Sequence, residues 1–191
     1  MKKLLLLAFI LTLSFSSFAQ RYNEDWTLSF GVNALNTLGT QSPINSPDDW
    51  SFQTPISAAI EFSWVPNLAI EQAITFNGFK ESSRVDFGDI EENYNYVSLD
   101  TNAKYYFREL IFGRGRHLSW FDIYANAGLG FFHIEDSNVS FNLGGGVLFW
   151  LNRNQTFGIR AQTLAKFAFN NSDAGYENNH YQYHLQAVFR L

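Results

Sequence analysis

From residue 26 onward the chain alternates. Trp26, Leu28, Phe30, Val32 and Ala34 fall on one side of an extended segment, with Thr27, Ser29, Gly31 and Asn33 on the other. A period of two marks a strand with two unlike faces. Seven further segments repeat the pattern, over residues 56–64, 68–76, 96–107, 121–133, 141–151, 157–169 and 181–191. In the fifth, Phe121, Ile123, Ala125, Ala127, Leu129 and Phe131 oppose Asp122, Tyr124, Asn126, Gly128 and Gly130. In the last, Tyr181, Tyr183, Leu185, Ala187 and Phe189 oppose Gln182, His184, Gln186 and Arg190. The connections also alternate in kind. Residues 36–55, 77–95, 135–140 and 170–180 are polar, and the first two are long. Residues 65–67 and 152–156 are short turns, and residues 108–120 are the exception. An even number of strands with longer loops at one end is the pattern of an outer-membrane barrel.

Alternation alone does not say which face points inward. A soluble carrier barrel would put the apolar face inside and a membrane barrel would put it outside. Volume decides, because the apolar face of these segments carries 17 aromatic rings, and an eight-stranded barrel has an interior just wide enough for ordinary side chains. So many rings do not fit within it. They also cluster toward the strand ends. Trp26, Trp64, Phe107, Phe121, Phe149, Phe157 and Phe189 lie toward the short turns, and Phe76, Phe131, Phe141, Phe169 and Tyr181 toward the longer loops. Two aromatic girdles around an aliphatic band describe a surface facing lipid. The predicted fold is therefore all-β, an eight-stranded antiparallel up-and-down transmembrane barrel. Lipid tolerates no open sheet edge, so the last strand is expected to pair with the first.

Composition and the first residues agree with export. Met1-Lys2-Lys3, an apolar run from Leu4 to Leu13 and a small residue at Ala19 read as a signal peptide over 1–19, followed by a barrel domain over 20–191. The apolar run is too short to span a bilayer, which needs about 20 residues. The absence of cysteine excludes a disulfide framework, a thiolate metal site and a cysteine nucleophile. The net charge of −5 argues against a nucleic-acid partner.

Several stretches resemble a known family. Tyr105-Tyr106-Phe107, the run from Trp120 to Gly130, the Asn142-Leu143-Gly144-Gly145-Gly146-Val147 hairpin strand with Trp150-Leu151-Asn152 after it, and the terminal Phe189-Arg190-Leu191 are similar to the small outer-membrane β-barrels of OmpA/OmpX type, in their Bacteroidota versions. The resemblance implies a location in the bacterial outer membrane and contact with its lipid and lipopolysaccharide. It also implies insertion by the barrel-assembly machinery, whose signal resembles the terminal segment; Leu191 stands where the family prefers an aromatic residue. An extracellular partner would be met through the loops. The peptidoglycan-binding domain of many OmpA proteins is not expected, because the last predicted strand ends at Leu191.

The inward charges are the candidate site. Glu61, Glu71, Lys104 and Arg160 each sit three residues from a short-turn end, which places two acids and two bases at one height. Buried charges must pair, since an unpaired one carries a large desolvation cost. Asp100, Asp122, Lys166 and Arg190 are expected to extend this ion-pair network. Two readings compete: a gated pore, and a static polar plug, which the narrow interior favours. The loop residues Glu81, Asp86, Asp89, Glu91 and Glu92 form an acidic surface segment without calcium-loop spacing. His184, His133, His117 and His180 are scattered, and no local motif supports a hydrolytic triad. The expectation is a non-enzymatic barrel without cofactor or metal, with a lipid A-modifying enzyme and a narrow ion pore as alternatives.

Overall fold

The computed structural model describes residues 25–36, 50–65, 67–79, 84–85, 88–89, 93–107, 110–111, 120–169 and 179–191. Its strands are β1 (Asp25–Leu35), β2 (Ile56–Val65), β3 (Leu68–Phe79), β4 (Arg84–Val85), β5 (Gly88–Asp89), β6 (Tyr94–Tyr106), β7 (Phe121–His133), β8 (Ser137–Trp150), β9 (Phe157–Ala168) and β10 (His180–Arg190). β4 and β5 form a small hairpin between β3 and β6; the other eight close into an antiparallel barrel. Closure is made by β1 against β10, from Thr27 opposite Arg190 to Leu35 opposite Gln182. The fold is an eight-stranded transmembrane barrel.

Local chemistry fixes the turns. Between β8 and β9 the Asn152 side chain accepts from the N–H groups of Thr156 (2.9 Å) and Phe157 (3.1 Å), while Gln155 takes a positive φ of 53°. Between β2 and β3 the register shifts between Ser63 and Val65, a bulge that tightens the bend before Leu68. The connection after β1 folds back at residues 50–52, where Ser51 bridges Leu35. Trp50 then stacks on Tyr183 of β10, rings 4.6 Å apart and nearly coplanar.

The strands are steeply tilted. A ladder leaving Arg190 runs through Thr27, Glu61, Glu71, Asn102, Gly128, Asn142 and Lys166 and returns to β10 at His180, ten residues along. That stagger sets strand tilt and barrel radius together. All these residues face inward.

Several sequence-based boundaries are corrected, and β3 runs on to Phe79 while β6 starts at Tyr94. β8 starts at Ser137, four residues before the alternation was legible, so the polar connection expected over 135–140 shrinks to 134–136. Phe107 and Phe169 lie one residue past the ends of β6 and β9. On the outer wall Trp26, Trp64, Phe76, Phe131, Phe141, Phe149, Phe157, Phe169 and Phe189 are exposed, and Phe107, Phe121 and Tyr181 are half-buried. The signal-peptide residues, Glu81, Asp86, Glu91, Glu92 and His117 lie outside the described residues, and of Asp89 only the backbone in β5 is described. No helix among the described residues is long and apolar enough to cross a membrane; crossing is by strands.

Candidate functional site

The interior is built in layers. At its charged centre Glu61 of β2 and Glu71 of β3 face one another as direct cross-strand partners. Like charges so placed repel, and two cations are wedged against them. Lys104, from neighbouring β6, places Nζ 3.0 Å from Glu61 and 2.5 Å from Glu71. Arg160 reaches across the lumen from β9, with Nη2 2.7 Å from Glu61 and Nη1 2.8 Å from Glu71. The guanidinium fork suits this double engagement better than an ammonium would. Arg160 also donates to Ser29 Oγ at 3.2 Å, and the Tyr106 hydroxyl donates to Glu61 at 2.6 Å.

The Tyr124 ring lies against both cations, 4.6 Å from Lys104 Nζ and 5.7 Å from the Arg160 guanidinium carbon. A glycine makes room for it, since a Cβ on Gly146 would lie 2.5 Å from the Tyr124 hydroxyl oxygen. Two carboxylates and two cations sum to zero charge, and none of the four side chains is more than 4% exposed.

A second charged layer lies toward the longer loops. Asp100 of β6 receives Lys166 Nζ at 2.6 Å, Asn142 Nδ2 at 2.8 Å and Ser98 Oγ at 2.9 Å. Amide and hydroxyl groups continue upward from it. Gln182 Nε2 donates to Ser98 (3.0 Å) and to the Tyr96 hydroxyl (2.6 Å), which is 2.7 Å from His180 Nε2. His184 is buried with Nε2 3.1 Å from Gln182 Oε1.

Apolar clusters lie at both ends of this polar column. Toward the longer loops Leu35, Phe79, Tyr96, Phe132 and Ile134 pack together across the lumen. Toward the short turns Leu148 and Trp150 of β8 and Val188 of β10 form a smaller cluster over β9, on one side of the lumen. Asp122 and Arg190 belong to that lower end rather than to the central charges. Trp150 stands between them, donating from Nε1 to Asp122 at 2.8 Å and carrying the Arg190 guanidinium 4.4 Å above its ring.

Phe79, Phe132 and Trp150 face inward, an orientation the sequence reading did not assign to them although a signal existed. Phe131-Phe132 and Phe149-Trp150 are adjacent rings in strands, so one of each pair must face the lumen. Among the described residues no cluster of His, Asp and Glu is arranged to hold a metal ion.

No family model matches the chain, and no curated protein matches it. Solved structures do. Neisserial surface protein A is similar with a TM-score of 0.55 at 10% identity, covering 89% of this chain and 97% of that one. The Yersinia pestis outer membrane protein Ail in a phospholipid bilayer nanodisc is similar at 0.51 and 15%, over 88% of this chain and all of that one (100%). The fold is that of small outer-membrane barrels. At these identities the likeness is one of architecture.

Proposed function

We propose that the chain is a closed-lumen barrel of the bacterial outer membrane whose role is structural or surface-interacting. On this reading residues 1–19 are a cleaved export signal, and the rigid wall holds four loops outward. Lipid and lipopolysaccharide contact the girdled exterior, and the barrel-assembly machinery inserts the chain. An extracellular partner would be met through the loops, the acidic one at 80–92 foremost. The observation that carries this reading is the packing of the interior: a neutral four-residue ion cluster, bridged across the lumen by Arg160, lies below an apolar plug of Leu35, Phe79, Tyr96, Phe132 and Ile134. Such an interior supplies strength and register, and leaves interaction with a partner to the loops.

Two experiments test it together. In cell fractionation the protein is expected in the outer membrane, migrating differently on detergent gels with and without heating, and external protease is expected to cut within residues 80–92. In planar bilayers the purified barrel is expected to give no sustained conductance. A steady single-channel current would overturn the closed-lumen reading in favour of a narrow pore. Altered lipid A mass spectra on deleting the gene would favour an enzyme.

A further inference from the structure

Apart from Asn95 at the loop end of β6, the outer wall of β3 and β6 is apolar except at one place. Among the outward residues of β3, Leu68, Ile70, Ile74 and Phe76 flank Gln72. Among those of β6, Val97, Leu99, Ala103 and Tyr105 flank Thr101. Gln72 and Thr101 are direct cross-strand partners at mid-height on this wall, and Thr101 Oγ1 donates to Gln72 Oε1 at 2.7 Å. The bond orients the amide and satisfies the threonine. It leaves both Nε2 hydrogens of Gln72 with no acceptor among the described residues. A primary amide has two N–H donors and a carbonyl able to accept twice, and hydrocarbon offers it nothing.

The wall is also low beside this pair. Ala103 pairs with Ala127 of β7, and Ala125 follows on the same outer face, all three exposed. Small residues next to a polar group let a second backbone approach closely enough to bond with it. The wall that contains Phe30, Val32 and Leu185 carries outward hydroxyls at Tyr181, Tyr183 and the neighbouring Thr163 but no side-chain amide.

We propose that a second copy of this chain docks on the β3–β6 wall, in a two-fold contact within the membrane centred on Gln72 and Thr101. A primary amide is its own complement. Across a two-fold axis along the membrane normal, each Gln72 donates Nε2–H to the amide oxygen of the partner's Gln72, and the bond from Thr101 stays intact. An isologous interface needs this kind of self-matching patch. Lipid does not supply it, because ester and phosphate acceptors lie at the bilayer surface and this pair lies mid-wall. Ile70, Ile74 and Leu99 surround the pair with apolar contact area. The proposal rests on the lipid-facing reading of the wall.

The chain has no cysteine, so single introduced thiols report the contact cleanly. Ile74→Cys on this wall and Leu185→Cys on the opposite one are expressed in the full chain, exported to the outer membrane of a Gram-negative host and oxidised in place. Ile74→Cys is expected to give a disulfide-linked homodimer on non-reducing gels, and Leu185→Cys is not. Adding Gln72→Leu should cut the dimer yield by about tenfold, the shift carried by the two intramembrane hydrogen bonds it removes. The unheated gel mobility, which reports the folded barrel, should stay unchanged in every variant. Equal yields from the two thiols, an undiminished yield with Gln72→Leu, or a crosslink to a different protein would each overturn the proposal. If instead the parent chain lacks heat-dependent mobility and fails to fractionate with the outer membrane, the lipid-facing reading fails, and the dimer with it.

Discussion

The two charged layers of the lumen solve the same problem differently. The central one sets two carboxylates against two cations and spans the barrel, since Arg160 of β9 grips residues of β2 and β3. The upper one has a single ion pair, Asp100 with Lys166, and surrounds the carboxylate with neutral donors from Asn142 and Ser98. In the first layer each charge depends on the others. In the second, the acid retains hydrogen bonds if its cation is removed. Redundancy of neutral donors, rather than the number of charges, should therefore decide which layer breaks harder.

Arg160→Met is expected to have the largest effect, because it leaves two opposed carboxylates with one lysine. A buried pair broken on one side costs about 3–5 kcal/mol, to be read as a lowered denaturant midpoint in detergent or lipid. Combining it with Glu71→Gln should recover part of the loss, since residues sharing one network couple by about 0.5–3 kcal/mol.

Lys166→Met should cost less, about 2–3 kcal/mol, because Asp100 keeps two neutral donors and only its charge is left uncompensated. A loss equal to that of Arg160→Met would erase the distinction between the layers. Gly146→Ala should destabilise by about 1–3 kcal/mol, the usual range for forcing a methyl into packed space, since the new Cβ would lie 2.5 Å from both the Ala161 carbonyl oxygen and the Tyr124 hydroxyl, so the β9 backbone and the ring must both shift. The smallest expected response is to salt. Raising sodium chloride from about 0.1 M to about 1 M should change stability by less than about 0.5 kcal/mol, because buried pairs are screened far less than exposed ones. A large salt effect would place these charges in contact with solvent.

The strands were legible because the barrel has two strongly unlike surfaces, so parity alone carries the signal. Where both faces are polar the signal fades, and that is where β8 was read short: Ser137, Asn138 and Ser140 look like a loop, yet Asn138 and Ser140 are buried in the lumen. The heights of Glu61, Glu71, Lys104 and Arg160 followed from counting residues from the short turns. What counting does not supply is the reach of Arg160 across the lumen, or the stacking that places Trp150 between Asp122 and Arg190. The apolar clusters were hidden by a composition argument. Of the rings only Tyr124 was placed on the lumen face, whereas the structure also tucks Phe79, Phe132 and Trp150 inside, toward the two ends.

The opposition of Glu61 and Glu71 bears on the order of assembly. The β2–β3 hairpin is an early product along the chain, yet in isolation it holds two acidic groups face to face. Lys104 arrives only with β6, and Arg160 only with β9. The hairpin's own electrostatics thus favour the fully rolled sheet over any partial one, which discourages premature closure before the penultimate strand is in place.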